Sequence, residues 1–333
     1  MLSFSVRLDS TMGDANQLKR LGILAEKYGF DFCFMTDDLF KRSGLAILPS
    51  IGVSTVRIRL GVFLNPYTIN PAEQATYLAS LDELANGRVV AAVGAGSRDF
   101  LEWIGLVQEK PVQTTRDTVV AIRRIMAGAS GFEGETIKWT PQAHIRFALN
   151  SRKIPIYISG VGDDMLKLMG ELGDGAMPYL FPPEHAGYAV PTIISAARGA
   201  GRGPNEVDIA GLIWISVSKD GKRVERATKP MIAYYGPHLP QQLLATIGLG
   251  RDDFLPILDK RKTDGLEVAG KLVTDDMLRL AVTGDPDGCL ERLDHLVRNG
   301  VRHISFGPPL GPDPAQAIRL IGQQIIPHLK NTN

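Results

Sequence analysis

Cysteine is nearly absent: the 333 residues hold two, Cys33 in an apolar run and Cys289 in a helical pattern, and neither stands in a CxxC or metal-ligand spacing. That excludes a disulfide framework and a zinc ribbon. An excess of charge of one sign is absent too. With 37 Lys+Arg against 36 Asp+Glu the formal net charge is +1, so no global field steers the chain onto nucleic acid or an anionic membrane. Aromatics are sparse at 7%, and the three tryptophans, Trp103, Trp139 and Trp214, are too scattered to form a base-stacking platform. His144, His185, His238, His295, His303 and His328 show no HxxxH or related pairing, so no metal is assigned. No apolar stretch approaches the ~20 residues of a membrane span, and Arg7 and Asp9 precede any run long enough for a secretory signal. A cytoplasmic protein is expected.

What is present is a large potential core, 44% hydrophobic against 22% charged residues, which excludes wholesale disorder. The 35 glycines and 21 prolines imply many turns. Length alone suggests about two domains, although barrels routinely exceed that share as one unit.

The strongest pattern is alternation between short β-branched or aromatic runs and longer helical ones. Strands are predicted at residues 4–8, 30–35, 58–63, 88–93, 154–158, 175–178, 207–216 and 303–306, nearly all followed by helices. Helical crossovers return the chain to the same end of a sheet, so the pairing is parallel. Eight such units favour an α/β fold, a closed (β/α)8 TIM barrel, over a doubly wound open sheet, which would leave two edges. Residues 219–281 read as a mostly helical insertion before the last strand, and with the connection at 128–150 they absorb the length beyond the ~250 residues of a typical barrel. One barrel domain over 1–333 is therefore expected.

In a barrel the reactive groups lie at the strand C-termini and the loops after them. After strand two, Asp37 and Asp38 offer an acid or base beside a hydrogen-bond acceptor, or a cap for the next helix. After strand three, the Asn65 amide can bind a polar ligand edge or form an Asx turn before Pro66. The run Gly94-Ala95-Gly96-Ser97-Arg98-Asp99 follows strand four; the third glycine of a dinucleotide fingerprint would fall on Asp99, so a Rossmann reading fails, while Ser97 and Asp99 remain polar groups at the mouth. Ser159-Gly160-Val161-Gly162 opens backbone N–H groups at a helix N-terminus, where an anion is favoured, although Asp163 and Asp164 compete there. His303, within strand eight, reads as a packed core histidine, and the proline-set loop after it as a wall.

Several of these segments, in this order, resemble the bacterial-luciferase-like superfamily and, within it, the methylene-tetrahydromethanopterin reductases that use the deazaflavin coenzyme F420. The resemblance rests on Phe34-Met35-Thr36-Asp37, Leu60-Gly61 with Asn65-Pro66-Tyr67 and Pro71-Ala72, the run Leu81 to Arg88, Ile154-Pro155-Ile156-Tyr157, Gly173-Asp174-Gly175-Ala176, and the Gly-Pro-Asp after strand eight. It implies the barrel with an insertion and a non-prolyl cis peptide at Val62-Phe63 against the coenzyme's central ring. It also implies that Asp37 and Asn65 contact the deazaflavin and that Gly160, Val161 and Gly162 take its phosphate, a role the present reading extends to Ser159. Three positions depart from the pattern. Asp38 stands where deazaflavin enzymes often have histidine, Ser97 where many members carry an acid, and Arg7, with Asp9 two residues on, where the reductases place an acidic residue on strand one.

The reading is a hydride-transferring oxidoreductase with coenzyme F420 and an organic substrate, a methylene-tetrahydropterin being the implied candidate. Asp38, with Asp37, is the acid–base candidate, and Arg7, Asp9, Ser97 and Asp99 face the substrate. The alternatives are a flavin mononucleotide (FMN) monooxygenase of the same superfamily and a barrel that binds cofactor without turnover. The expected partners are a small-molecule substrate and further copies of the chain, in a homodimer or higher homo-oligomer.

Overall fold

Successive residues of a strand face opposite sides, and in the first strand the two sides are chemically distinct: Phe4, Val6 and Leu8 on one, Ser5 and Arg7 on the other, all buried. A strand buried on both faces needs packing on each side, which helices outside and a closed interior within supply. The computed structural model, which describes residues 2–37, 39–149, 152–203 and 205–332, has that architecture. The barrel strands are β1 Ser3–Leu8, β2 Phe32–Met35, β3 Arg59–Leu64, β4 Val89–Val93, β5 Ile156–Gly160, β6 Gly175–Pro178, β7 Asp208–Val217 and β8 His303–Leu310. Each pairs in parallel with the next, and β8 pairs with β1 through Ser3↔His303 to Val6↔Phe306, closing the ring. The (β/α)8 expectation is met.

The helices that position the site are α1 Ala15–Lys27, α2 Gly44–Gly52, α3 Pro71–Leu84, α4 Arg98–Glu102, α5 Pro111–Met126, α6 Asp163–Leu172, α7 Ala186–Gly199 and α8 Gly221–Tyr235. Local chemistry sets their starts. Asp14 and Gln17 form a capping box at α1, and Asn70 caps α3 with Pro71 in its first turn. Three short elements escaped the sequence pattern because two or three residues carry no periodicity: the hairpin strands Phe132–Glu133 and Lys138–Trp139, and Val282–Gly284, which joins the upper part of β7. The last helical run, from Pro314, contains a π-helical turn at Ile321–Ile325.

Two cores result. Between strands and helices lies the larger, with Phe4, Val6, Leu60, Ile156 and Phe306. Inside the barrel, Phe32, Phe34, Tyr157, Met177 and Trp214 form a second, continuous with Ile232, Leu243, Phe254 and Met277 of the 219–281 stretch. Gly61 makes room for this filling, since a Cβ there would sit 2.0 Å from the Phe34 ring. At the N-terminal end, the Asp208 carboxylate accepts from Tyr157 Oη at 2.6 Å and His303 Nδ1 at 2.9 Å. A carboxylate only accepts, so Nδ1 carries the proton. His303 is fully buried, as its reading as a core residue expected.

Candidate active site

The C-terminal ends of the strands bring most of the predicted residues to one face of the barrel, but they hold them in different ways. Asp37, just past β2, accepts from Ser43 Oγ at 2.7 Å and from the Leu45 N–H at 3.4 Å. Ser43, at the N-cap of α2, makes no side-chain capping bond of its own, so Asp37 performs that task from seven residues upstream of the helix. Its charge, after burial, also pushes the Tyr77 phenol upward in pKa. Asp38 lies outside the described residues.

Asn65 forms the Asx turn, its Oδ1 accepting from the Tyr67 N–H at 2.9 Å. Its Nδ2 lies against Gly96, where φ is +71° and an added Cβ would come within 2.2 Å of that nitrogen. Gly94 similarly lies against the Ser159 carbonyl, which would be 2.8 Å from a Cβ. The two glycines thus let the loop after β4 press between Asn65 and the end of β5. Between Val62 and Phe63 the expected cis peptide is not found; the described cis bonds are Phe181-Pro182 and Pro308-Pro309. The physical reason is visible in the ladder, since Val62, Phe63 and Leu64 pair in unbroken register with Ala91, Ala92 and Val93.

Ser97 is exposed at the N-cap of α4 without a capping bond. Asp99 turns toward the insertion and pairs with His238 Nδ1 at 3.5 Å. Arg7 and Asp9 are buried at the top of β1. Arg7 crosses Gly307, where a Cβ would lie 1.6 Å from Nη2, and donates from Nη2 to the Ile213 carbonyl at 2.6 Å. Burial lowers its pKa to about 10, against the opposing pull of Tyr179 and Asp9, so it stays cationic at neutral pH. Among the described residues no group partners its Nε. Asp9 accepts from the Thr11 N–H at 2.9 Å and stands 3.9 Å from Lys41 Nζ.

At residues 159–162, where the sequence reading expects an anion, groups from other loops come together. Ser159 is buried on the barrel side, its hydroxyl 3.4 Å from the Met177 carbonyl. Gly162, at φ +86°, is the N-cap of α6 and supplies no side-chain cap. The first-turn N–H groups of α6 therefore keep their capacity for an external acceptor. Facing Gly160, Val161 and Gly162 across a narrow crevice are Tyr179, His185 and Gln242. His185 is buried, and its Nδ1 has no partner among the described residues. Burial lowers its pKa, partly opposed by Asp163, which keeps the ring neutral at pH 7. A buried ring nitrogen without a partner is costly unless a ligand satisfies it. Sequence reasoning passed over His185 because the contact exists only once the loop after β6 folds beside that after β5. Behind the crevice Tyr179, Phe181 and Trp214 stack, with centroids 4.9 and 4.1 Å apart. The residues thus fit a phosphate-bearing ligand entering the mouth beside an aromatic wall.

Known proteins share the fold. The sequence pattern of the family described as luciferase-like monooxygenase matches residues 2–303. The chain is 33% identical over 309 residues to a 5,10-methylenetetrahydromethanopterin reductase of Methanolobus tindarius, covering 91% of this chain and 93% of the relative. It is 34% identical over 315 residues to the protein of the same name from Archaeoglobus fulgidus, covering 92% and 94%. It superposes on the coenzyme F420 dependent tetrahydromethanopterin reductase of Methanopyrus kandleri with a TM-score of 0.90 and 27% identity, over 98% of this chain and 99% of that one.

Proposed function

The chain belongs to the luciferase-like monooxygenase family, and from that premise we propose that it is an F420-dependent oxidoreductase whose substrate is a methylene-tetrahydropterin. When bound, the deazaflavin supplies the hydride chemistry, and the protein supplies binding, orientation and electrostatics. The observation that carries the reading is the crevice at the N-terminus of α6, in which uncapped helix N–H groups and the unpartnered His185 Nδ1 converge. Gly160, Val161, Gly162 and His185 would hold the coenzyme phosphate. Asp37 and Asn65, each fixed by a neighbouring loop, would position the ring system.

Proton handling falls to groups that differ from the family's pattern. Asp38 is the acid–base group in this reading, and Arg7 and Asp9 set the charge at the top of β1. Asp38→Asn lowers turnover by about 10²–10⁴-fold, the usual worth of a general acid or base, and leaves coenzyme affinity unchanged. Unaltered turnover removes Asp38 from the mechanism.

Titration of the purified protein with F420 and with FMN, monitored by calorimetry and an oxygen electrode, tests the cofactor assignment. F420 binds the more tightly, and the reduced protein consumes no oxygen. Preferential binding of FMN with oxygen uptake would identify a monooxygenase instead, and binding of F420 without turnover on any reduced one-carbon pterin would identify a binding protein.

A further inference from the structure

At the end of the barrel opposite the mouth, where β5 begins, the helix layer leaves a space. A cavity of about 530 Å³ lies between α3, α5 and the chain entering β5, a volume in the range that takes a small organic ligand. Its walls are apolar: Leu78 of α3, Ile122 and Met126 of α5, and Ile154 ahead of β5. Three cations, Arg123, Arg152 and Lys153, also line it, all partly or fully open to solvent, so they stand at its rim. These cations outnumber their counter-charges. Arg123 and Lys153 share one carboxylate, that of Asp174, at 2.8 and 2.6 Å. Arg152 donates from Nη1 to the Asn86 carbonyl at 3.2 Å and meets no acidic partner among the described residues. It is nonetheless seated. Gly87, at φ +77°, leaves room for its guanidinium just past α3, where a Cβ would overlap it. Arg123 is not saturated either, because its Nε is buried with no partner among the described residues, and a buried polar atom calls for one.

We propose that this cavity binds an amphiphilic monoanion, an apolar body of medium length carrying one carboxylate, with the body against Leu78, Ile122 and Met126 and the head at Arg123 and Arg152. Apolar walls alone suit a neutral hydrocarbon, and cations alone suit an inorganic anion; their conjunction selects a molecule with both parts. The site is concave where a subunit interface is broad, which favours a small molecule over a second copy of the chain. It is also separate from the coenzyme site. Ile156, at the start of β5, lines the cavity, whereas Gly160, at its end, lines the anion crevice, so the two lie about 13 Å apart along the strand. Both can be occupied at once.

Calorimetric titration of the full-length protein with decanoate, octanoate and decanol tests the proposal. Decanoate binds saturably at one molecule per chain, about tenfold more tightly than octanoate, the worth of its two further buried methylenes. It also binds about tenfold more tightly than decanol, which lacks the charge. Arg152→Glu removes most of the preference over decanol and leaves decanol affinity in place, whereas Met126→Trp, which fills the cavity, weakens decanoate and decanol alike. Decanoate affinity is the same with F420 present and absent. Displacement of decanoate by F420 would put it in the mouth and overturns the proposal. So does a lack of saturable binding, equal affinity for decanoate and decanol, or decanoate binding that neither substitution weakens. Failure of F420 to bind refutes the coenzyme assignment alone, since the decanoate titrations decide the cavity without it.

Discussion

At the scale of single residues, the account depends on a few atoms whose partners lie outside the protein. His185 is the clearest. Its pKa is lowered in the folded protein by burial, so on acidification the unfolded chain takes up a proton, from its ordinary value of ~6.5 downward, before the native state does. The ligand-free protein therefore loses stability as pH falls from about 7.5 to about 5.5, and His185→Gln flattens that part of the profile. Thermal melts of both proteins across the range check the sign; a steeper fall in the variant contradicts it. His185→Ala also weakens F420 binding by about tenfold, the worth of one hydrogen bond to a charged group at ~1.5 kcal/mol. Gly307 gives a second residue-scale test. Since a Cβ there would overlap the Arg7 guanidinium, Gly307→Ala displaces Arg7 and costs about 1–3 kcal/mol in denaturant unfolding, whereas a flexible mouth would accept the methyl group at no cost.

At the scale of elements, the 219–281 stretch is coupled to the barrel by packing. Phe254 is fully buried, and its ring occupies the space beside Gly236, in the same apolar cluster as Trp214. Phe254→Ala costs about 3–5 kcal/mol and weakens coenzyme binding as well, because Gln242 and Leu243 of the same stretch line the crevice; a loss of stability with unchanged affinity separates the stretch from the site. This scale also shows what the sequence could reveal. Strands such as Val89–Val93 were legible because burial on both faces leaves a continuous apolar run. Helix α6, Asp163–Leu172, is legible in its periodic leucines and methionines. The site was legible only where chemistry is local. Asn65 and Asp37 were noticed, yet which of their two possible tasks they perform depends on Gly96 and Ser43, brought near by folding. His185 carried no local signal, and the cis peptide expected from the resemblance gave way to an unbroken ladder between β3 and β4.

At the scale of the molecule, a net charge of +1 offers no long-range field for an anionic coenzyme, and the proposed site relies on short-range groups at one helix end and one neutral histidine. Association then depends weakly on ionic strength compared with a protein that gathers its ligand by a long-range field. No described helix is long and apolar enough to cross a membrane. The barrel's interior also sets an acid limit. Burial disfavours the Asp208 charge, but the bonds from His303 and Tyr157 and the charge of Arg59 outweigh it and hold the carboxyl below its ordinary range. Its contribution is complete above the unfolded value of ~3.9 and disappears as pH falls through the lower folded value. Asp208→Asn therefore destabilises at neutral pH and progressively less in acid. The central claim, hydride transfer from a deazaflavin, is tested most directly by mixing the protein without oxygen with reduced F420 and methylene-tetrahydromethanopterin and following the return of the oxidised deazaflavin's absorbance. The account predicts one oxidised coenzyme for each methyl-pterin formed, at the same rate when air is admitted. Absence of pterin-dependent oxidation, or a reaction that requires oxygen, would contradict it.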